Sequence, residues 1–205
     1  MNEFTPTRTN LDRAKHFLVF AHSSHALLDR KRKVLIQEMM DRVAQAQEEA
    51  LQLQKQLEEV YAVIIHANIV YGSLAVEELS RTVEPMEDIE VLSTSVMGVS
   101  LPRLITPEYE LHASYGMYRG GVSLDFAMKK MKELRRLLFE FAELETAISR
   151  LVYEIKRTAK RVNSIEKIQI PRYEGIVKQI DDALAEKDRE DLFRLKIVKK
   201  KLKKV

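Results

Sequence analysis

Residues 122–170 read VSLDFAMKKMKELRRLLFEFAELETAISRLVYEIKRTAKRVNSIEKIQI and contain neither glycine nor proline. Apolar residues recur along this stretch at steps of three and four residues, with a mean step of about 3.4. The positions are Leu124, Ala127, Met131, Leu134, Leu138, Phe141, Leu144, Ile148, Val152, Ile155, Ala159, Val162 and Ile165. A spacing near 3.5 is typical of helices that wind left-handedly around a partner and bury a shared seam. The stretch therefore predicts one long helix whose apolar seam faces a second helix.

A second stretch, residues 7–71, has the same character. It also lacks glycine and proline, and an apolar stripe runs from Leu11 to Leu74 with a mean step of about 3.5, interrupted by His25 and Arg32. Thr9 followed by Asp12 resembles a capping box, which predicts that the helix starts there. Two matched seams favour one antiparallel hairpin within the chain. Pairing of each helix with another chain is the alternative that the sequence leaves open.

The segment between the two stretches, residues 80–121, holds three of the five prolines and four of the six glycines. Residues 89–101 within it are rich in β-branched side chains, which is compatible with one or two short strands. The predicted fold is all-α dominated: a long antiparallel two-helix coiled-coil hairpin with a small central head that can contain a short β-hairpin. The expected division is a first helix over residues 1–79, the head over 80–122, and a second helix over 123–205.

The composition fits long solvated helices that share a thin apolar seam. Charged residues make up 32% of the 205 residues, aromatic residues 7%, and tryptophan is absent. The chain has no cysteine, which excludes disulfides, thiolate metal sites and cysteine nucleophiles. No stretch approaches the roughly 20 consecutive apolar residues of a transmembrane helix. We therefore expect no direct insertion into a membrane.

Motifs of catalytic and nucleotide-binding sites are absent from the sequence. It contains no Gly-x-x-x-x-Gly-Lys loop, Gly-x-Gly-x-x-Gly, Gly-x-Ser-x-Gly or His-Glu-x-x-His. His22 and His25 have the spacing of two metal ligands, but no nearby carboxylate pair completes a tetrahedral set. We expect no catalytic residue, no cofactor and no metal ion.

Cations are concentrated in three places. They are the run Arg30-Lys31-Arg32-Lys33, the group Lys156, Arg157, Lys160 and Arg161, and the tail cations Arg194, Lys196, Lys199, Lys200, Lys201, Lys203 and Lys204. In a hairpin, the first and last of these groups are expected toward the same end of the molecule. That end is either a solvated, frayed tail or a surface that enters an anionic surround of protein, nucleic acid or lipid headgroups. Pro171 removes one helical hydrogen bond, and Gly175 follows one turn later, so a bend is predicted near residue 171.

Four blocks of the sequence resemble a known family. Residues 161–171 (RVNSIEKIQIP) and 186–199 (EKDREDLFRLKIVK) are similar to the C-terminal signature of the D subunit of the V/A-type rotary ATPases. Residues 6–11 (PTRTNL) and 25–32 (HALLDRKR) are similar to that family's opening blocks. The departures are Ser164 and Ile165, where the family usually has alanine and leucine, and Lys33, where it often has aspartate. The central segment does not match in detail.

The resemblance implies a non-catalytic rotor shaft of an ATPase or ATP synthase. Its implied partners are the A and B subunits of the catalytic hexamer, the small F subunit of the rotor, and a C/d-type coupler to the membrane ring. The implied location is cytoplasmic and peripheral to the membrane, with no nucleic-acid partner. The residues expected to face the hexamer bearing are Arg8, Arg30, Lys31, Arg32, Arg189, Arg194, Lys196 and Lys199, with Pro171 and Gly175 supplying the bend.

An alternative from another class fits the same residues. A coiled-coil scaffold or tether could bind acidic partners, nucleic acid or anionic membrane through its basic end. The sequence does not distinguish H⁺ from Na⁺ as the transported ion, nor ATP synthesis from hydrolysis.

Overall fold

A computed structural model describes residues 5–82, 89–105 and 121–202 of the chain. The helices are α1 (Arg8–Tyr71), α2 (Ser73–Ser80), α3 (Val122–Ser164) and α4 (Ile170–Leu202), and a π-helical turn (Ile165–Gln169) joins α3 to α4. The strands are β1 (Glu90–Val96) and β2 (Val99–Ile105). The predicted all-α dominated class with a short β-hairpin between two long helical arms is confirmed. Part of the predicted head, with Pro85, Pro107, Gly116 and Gly120, lies outside the described residues, as do Lys203 and Lys204.

Helix α1 spans the glycine-free stretch almost completely. It begins at Arg8, where Thr7 is the N-cap and its Oγ1 accepts the Asn10 N–H at 3.2 Å. The sequence predicted this cap at Thr9, so the helix begins two residues earlier than predicted. The helix ends at Tyr71 because Gly72 adopts a left-handed φ of 82°. Helix α2 leaves at 112° to α1, so Leu74, predicted on the seam, is exposed instead.

The chain divides into two compact units, which we call the terminal unit (residues 1–34 and 155–205) and the central unit (residues 35–154). In the terminal unit, Phe17 stacks on Tyr173 at 5.4 Å between ring centroids, and His25 Nε2 lies 3.8 Å from a Glu166 carboxylate oxygen. Residue numbers fall along the C-terminal arm as they rise along α1. The two arms are therefore antiparallel and pair within one chain.

The central unit follows the same antiparallel order. Lys130 Nζ of α3 donates to the Glu59 carboxylate of α1 at 2.9 Å, and Gly121 lies directly against the Tyr71 hydroxyl. The buried side chains of this pairing come from both helices and include Leu35, Val60, Ala67, Leu124, Ala127, Leu134, Leu144, Ala147 and Leu151. Small alanines on both arms allow the helix axes to approach closely at their levels.

The predicted seam holds along α1 but not along all of α3. Every predicted position from Leu11 to Tyr71 is buried or half-buried. On α3, the predicted positions Met131 and Leu138 are exposed, whereas Ala147 and Leu151, which were not predicted, are fully buried. The predicted seam positions are thus correct along α1, whereas near Ile148 and Val152 of α3 the buried positions lie one residue earlier than predicted.

The β-hairpin is anchored to α3 beside the displaced part of the stripe. Its strands pair in continuous register from Glu90↔Ile105 to Val96↔Val99, and Met97 and Gly98 form the turn with φ values of 51° and 78°. The Leu104 N–H donates to Glu143 at 2.8 Å, and Arg150 donates to the Ser100 carbonyl at 2.8 Å. Ala147 lies one turn from each of these anchors on the same helical face. Helix α3 therefore contacts the β-hairpin on the same face that carries Ala147.

The backbone ahead of Pro171 departs from a regular α-helix. Residues 165–169 form a single π-helical turn that ends with the Ile170 N–H bonded to the Ile165 carbonyl. A π turn is an irregularity that accompanies helix bends and functional sites. The structure thus places an irregular turn where the sequence predicts a bend, and the bend itself stays a prediction.

Candidate interaction surface

The C-terminal part of α4 is the most exposed helical segment of the terminal unit. Arg8 lies 3.7 Å from Asp188, and α1 begins at Arg8, so α4 beyond Asp188 extends past the described start of α1. From residue 185 to 202 every residue is exposed. The exposed apolar side chains are Leu192, Phe193, Leu195, Ile197, Val198 and Leu202. A helix that exposes this many large apolar residues is typical of an interaction site.

This segment, which we call the terminal helix (residues 186–202), also carries four of the eight predicted bearing cations. Arg189 pairs with Glu186 at 3.4 Å, Arg194 with Glu190 at 3.6 Å, and the Lys196 ammonium lies 6.0 Å from the Phe193 ring centroid. These pairs are solvent-exposed, so each contributes little to stability. Lys199 lies one turn beyond Lys196. Between Asp191 and Leu202 there is no carboxylate, so this stretch attracts anionic surfaces.

A second group of cations surrounds both arms at another level of the terminal unit. The His25–Glu166 pair fixes the register, which places Arg30 and Lys31 opposite Lys160 and Arg161. We call this group the basic belt, and its members are Arg30, Lys31, Arg32, Lys33, Lys156, Arg157, Lys160 and Arg161. Within residues 29–33 and 156–161 the sole carboxylate is Asp29.

Asp29 is closely held by two of these cations. Arg32 donates to it at 2.7 Å and Lys33 lies 3.1 Å away. The hydrogen bond from Lys33, helped by the charges of Lys33, Arg32 and His25, lowers the pKa of the Asp29 carboxyl against the opposing effect of desolvation. Arg32 is half-buried in this pair, whereas Arg30 is exposed. Arg30 is therefore better placed than Arg32 to meet a partner.

The structure separates two groups that the sequence placed toward one end. Arg8 and the terminal helix lie together, whereas Arg30 lies 22 residues further along α1, or about 33 Å of helix. Both groups belong to the terminal unit. The belt cations of α3 were visible in the sequence as a cluster, but only the register between the arms shows that they lie at the level of Arg30 and Lys31.

The central unit exposes an apolar surface that the site prediction missed. Tyr61, Ile65, Ile69 and Val70 of α1 are exposed, as are Leu74, Val122 and Phe126. An open depression of about 400 Å³ lies here, lined by Ala62, Val63, His66, Val122, Ser123 and Phe126. The sequence signal was the absence of any charged residue from Val60 to Val76, in a chain that is 32% charged. A helix that is apolar on all sides is normally covered on all sides.

The described parts of the chain hold neither a metal-binding cluster nor a single spanning helix. No group of three histidine or acidic side chains there could hold a metal ion. No described helix by itself is both long and apolar enough to cross a membrane, although α1 and α2 taken together, with their 112° bend, meet that criterion by length and composition.

Comparison with known proteins gives a consistent result. The family described as the D subunit of ATP synthase matches residues 10–200. The D subunit of a V-type ATP synthase from Thermotoga neapolitana is 34% identical over 96% of this chain and 97% of its own length. The D subunits of the A-type ATP synthases from Pyrococcus abyssi and Methanobrevibacter smithii are 36% and 37% identical over 95% and 97% of this chain, and over 92% and 87% of their own lengths.

Proposed function

This chain belongs to the ATP synthase D-subunit family, and from that premise we propose that it is the central rotor shaft of a V/A-type ATPase or ATP synthase. In this role it transmits torque between the catalytic hexamer and the ion-translocating ring in the membrane. The observation that carries the proposal is the terminal helix, which projects past the start of α1 and exposes apolar and basic side chains together.

The terminal helix is suited to a bearing inside the hexamer of A and B subunits. Its long lysine and arginine side chains attract a negative surround over a distance and without a fixed geometry. Its apolar side chains exclude water when the helix is enclosed. A shaft that moves between three equivalent positions needs this kind of weakly directional contact. Arg8, Arg189, Arg194, Lys196 and Lys199 are assigned to this bearing.

The basic belt is assigned to a second level of the same bearing. Its exposed members on α1 and α3 lie at one level of the terminal unit, so a rotating shaft would present cations in more than one direction. Arg30 and Lys31 belong to this contact, and Arg32 supports it through its pair with Asp29.

The exposed apolar surface of the central unit is assigned to the other rotor partners. The small F subunit and the C/d-type coupler would cover the uncharged stretch between Val60 and Val76 together with Val122 and Phe126. In this proposal the chain contributes no catalytic group, ATP is made or hydrolysed on the hexamer, and the protein is cytoplasmic and peripheral to the membrane. Pro171, Gly175 and the adjoining π turn would give the shaft local compliance.

The test is reconstitution with the A and B subunits of the hexamer from the same genome. We expect the chain to co-purify with the hexamer and to change its ATPase rate. Replacing Arg194, Lys196 and Lys199 by alanine removes three exposed cations that are each worth about 0.2–1 kcal/mol, so affinity should fall about 3- to 150-fold.

The matched control is Arg136→Ala, which removes an exposed cation of the central unit that pairs with Glu140 at 3.1 Å. It should leave hexamer affinity within about two-fold, while helix content stays unchanged in every variant. Binding of the chain to nucleic acid or to anionic vesicles, without affinity for the hexamer, would instead support a scaffold or tether.

A further inference from the structure

The outer edge of β2 is closed by helix α3. The Ser100 carbonyl accepts a hydrogen bond from Arg150, and the Leu104 N–H donates to Glu143. Pro102, between them, has no N–H to offer. The outward N–H is therefore absent at Pro102 and satisfied at Leu104, and the Ser100 carbonyl is occupied, so this edge is a poor template for a further strand.

The alternation of an antiparallel ladder identifies the matching groups on β1. The backbone polar groups of Ser100, Pro102 and Leu104 point away from β1. These residues therefore form the non-hydrogen-bonded pairs of the hairpin. Their cross-strand partners are Ser95, Ser93 and Val91. The backbone N–H and C=O groups of these three β1 residues point away from β2, and no group in the described parts of the chain bonds to them.

Strand β1 also lacks the features that protect a free edge. It is seven residues long, pairs in unbroken register without a bulge, and contains no lysine and no proline. Residues 90–95 are all exposed, including Val91 on one face of the hairpin and Leu92 on the other. Proteins normally blunt such an edge with charge, proline or a bulge, because it otherwise recruits another strand.

We propose that the outer edge of β1 is a docking site for an extended segment of the small rotor subunit, which adds to the hairpin as a third strand. The docking rests on the proposed function, since that function supplies the partner. Main-chain hydrogen bonds to Val91, Ser93 and Ser95 provide the affinity, as in other cases of strand addition.

The side chains along β1 define the chemistry of the occupant. Val91 and Leu92 need apolar neighbours on the two faces of the added strand. The Ser93 and Ser95 side chains are small, so residues opposite them can be bulky. The Glu90 carboxylate forms no ion pair with the described residues, which favours a lysine or arginine at its level. The occupant is thus an extended, alternately apolar segment with one cation near its end.

Hydrogen exchange resolved to single residues tests the docking. In the isolated chain, the amides of Val91, Ser93 and Ser95 should exchange near the rate of an open strand, while the ladder amides of Leu92 and Thr94 are slower. In the complex co-purified with the small rotor subunit, the three outward amides should slow at least about ten-fold. Co-purification without such slowing overturns the docking alone, whereas failure to co-purify overturns the rotor role together with it.

Two further outcomes in the isolated chain also decide the matter. Slow exchange at low protein concentration means that the chain covers its own edge, and slow exchange only at high concentration, with a dimer on gel filtration, means that a second copy occupies it. Either result overturns the proposal.

Ser93→Pro provides a variant that acts on the edge and not on the ladder. It removes an outward N–H, and Ser93→Ala is the matched control because it loses only the hydroxyl, which lies 2.6 Å from the Ser100 hydroxyl. We expect Ser93→Pro to weaken binding of the small rotor subunit about ten-fold and Ser93→Ala to leave it within about two-fold. Unchanged ladder protection at Leu92 and Thr94 confirms that the variant hairpin is folded. Equal affinity of the two folded variants contradicts the proposal, and Ser95→Pro against Ser95→Ala repeats the test if Ser93→Pro unfolds.

Discussion

Replacing Leu151 by alanine tests the observed register of α3 directly. Leu151 is fully buried, whereas its neighbour Val152, which the sequence pattern placed on the seam, is half-buried. Leu→Ala removes three carbon atoms, or about 2.4 kcal/mol of transfer free energy at about 0.8 kcal/mol each. The cavity left in a packed site raises the expected loss of unfolding free energy to about 3–5 kcal/mol. Val152→Ala should cost less, about 1–2 kcal/mol, since part of its surface already meets water.

Urea denaturation followed by circular dichroism at 222 nm is the assay, and Leu51→Ala is the control. Leu51 also lies on a helix of the central unit, but its side chain is 64% exposed. Its replacement should change the free energy of unfolding by less than about 0.5 kcal/mol. A loss below about 1 kcal/mol for Leu151→Ala, or a larger loss for Val152→Ala, would refute the observed register of α3.

Three more changes have defined outcomes. Gly121→Ala places a Cβ against the Tyr71 hydroxyl and should destabilise the protein by about 1–3 kcal/mol in thermal unfolding. Adding Tyr71→Phe should restore part of this stability, and a double variant as unstable as Gly121→Ala would show that the clash is not the cause. Burial, together with two neighbouring carboxylates on α3, raises the pKa of Glu49. Ionised Glu49 therefore lowers the free energy of unfolding at pH values above its folded-state pKa. This cost disappears as the pH falls toward the unfolded-state pKa of 4.5. Glu49→Gln should therefore stabilise the protein at pH 7 and lose this advantage near pH 4, and a stabilisation that persists at pH 4 would point to another cause. Pro171→Ala restores a backbone N–H donor next to the π turn. It should raise the free energy of unfolding, measured in urea, by about 1–3 kcal/mol. A decrease would show that other contacts stabilise the π turn.

The sequence was sufficient for the helical arms because their signals are local and repeated. The lack of glycine and proline over residues 7–71 indicated one long helix where α1 lies, and the step of about 3.5 predicted its buried face. The hairpin was predicted less closely, because β-branched residues show that strands are possible but not where they turn. The left-handed φ values at Met97 and Gly98 define that turn.

For the interaction surface, the sequence supplied the cations but not their neighbours. It showed the terminal cations and the Arg30–Lys33 run, because clusters of like charge are visible in one dimension. The sequence alone did not show that Asp29 pairs with Arg32 and Lys33 more closely than other neighbouring charges pair with each other. That the α3 cations lie at the level of Arg30 depends on the register between distant parts of the chain, here fixed by contacts such as Phe17 with Tyr173.

What the sequence alone determined about this protein is therefore its helical arms, its family and the location of its charges, since periodicity and composition act over neighbouring residues. Tertiary structure decided the displaced stripe on α3, the open edge of β1 and the projection of the terminal helix. Each of these depends on a second element from far along the chain. Helix α1 packs against the displaced stripe of α3, and α3 bonds to one edge of the hairpin and leaves the other free. Helix α1 begins at Arg8, so it does not accompany α4 to its end. A pattern among neighbouring residues does not show which distant element will pack against them.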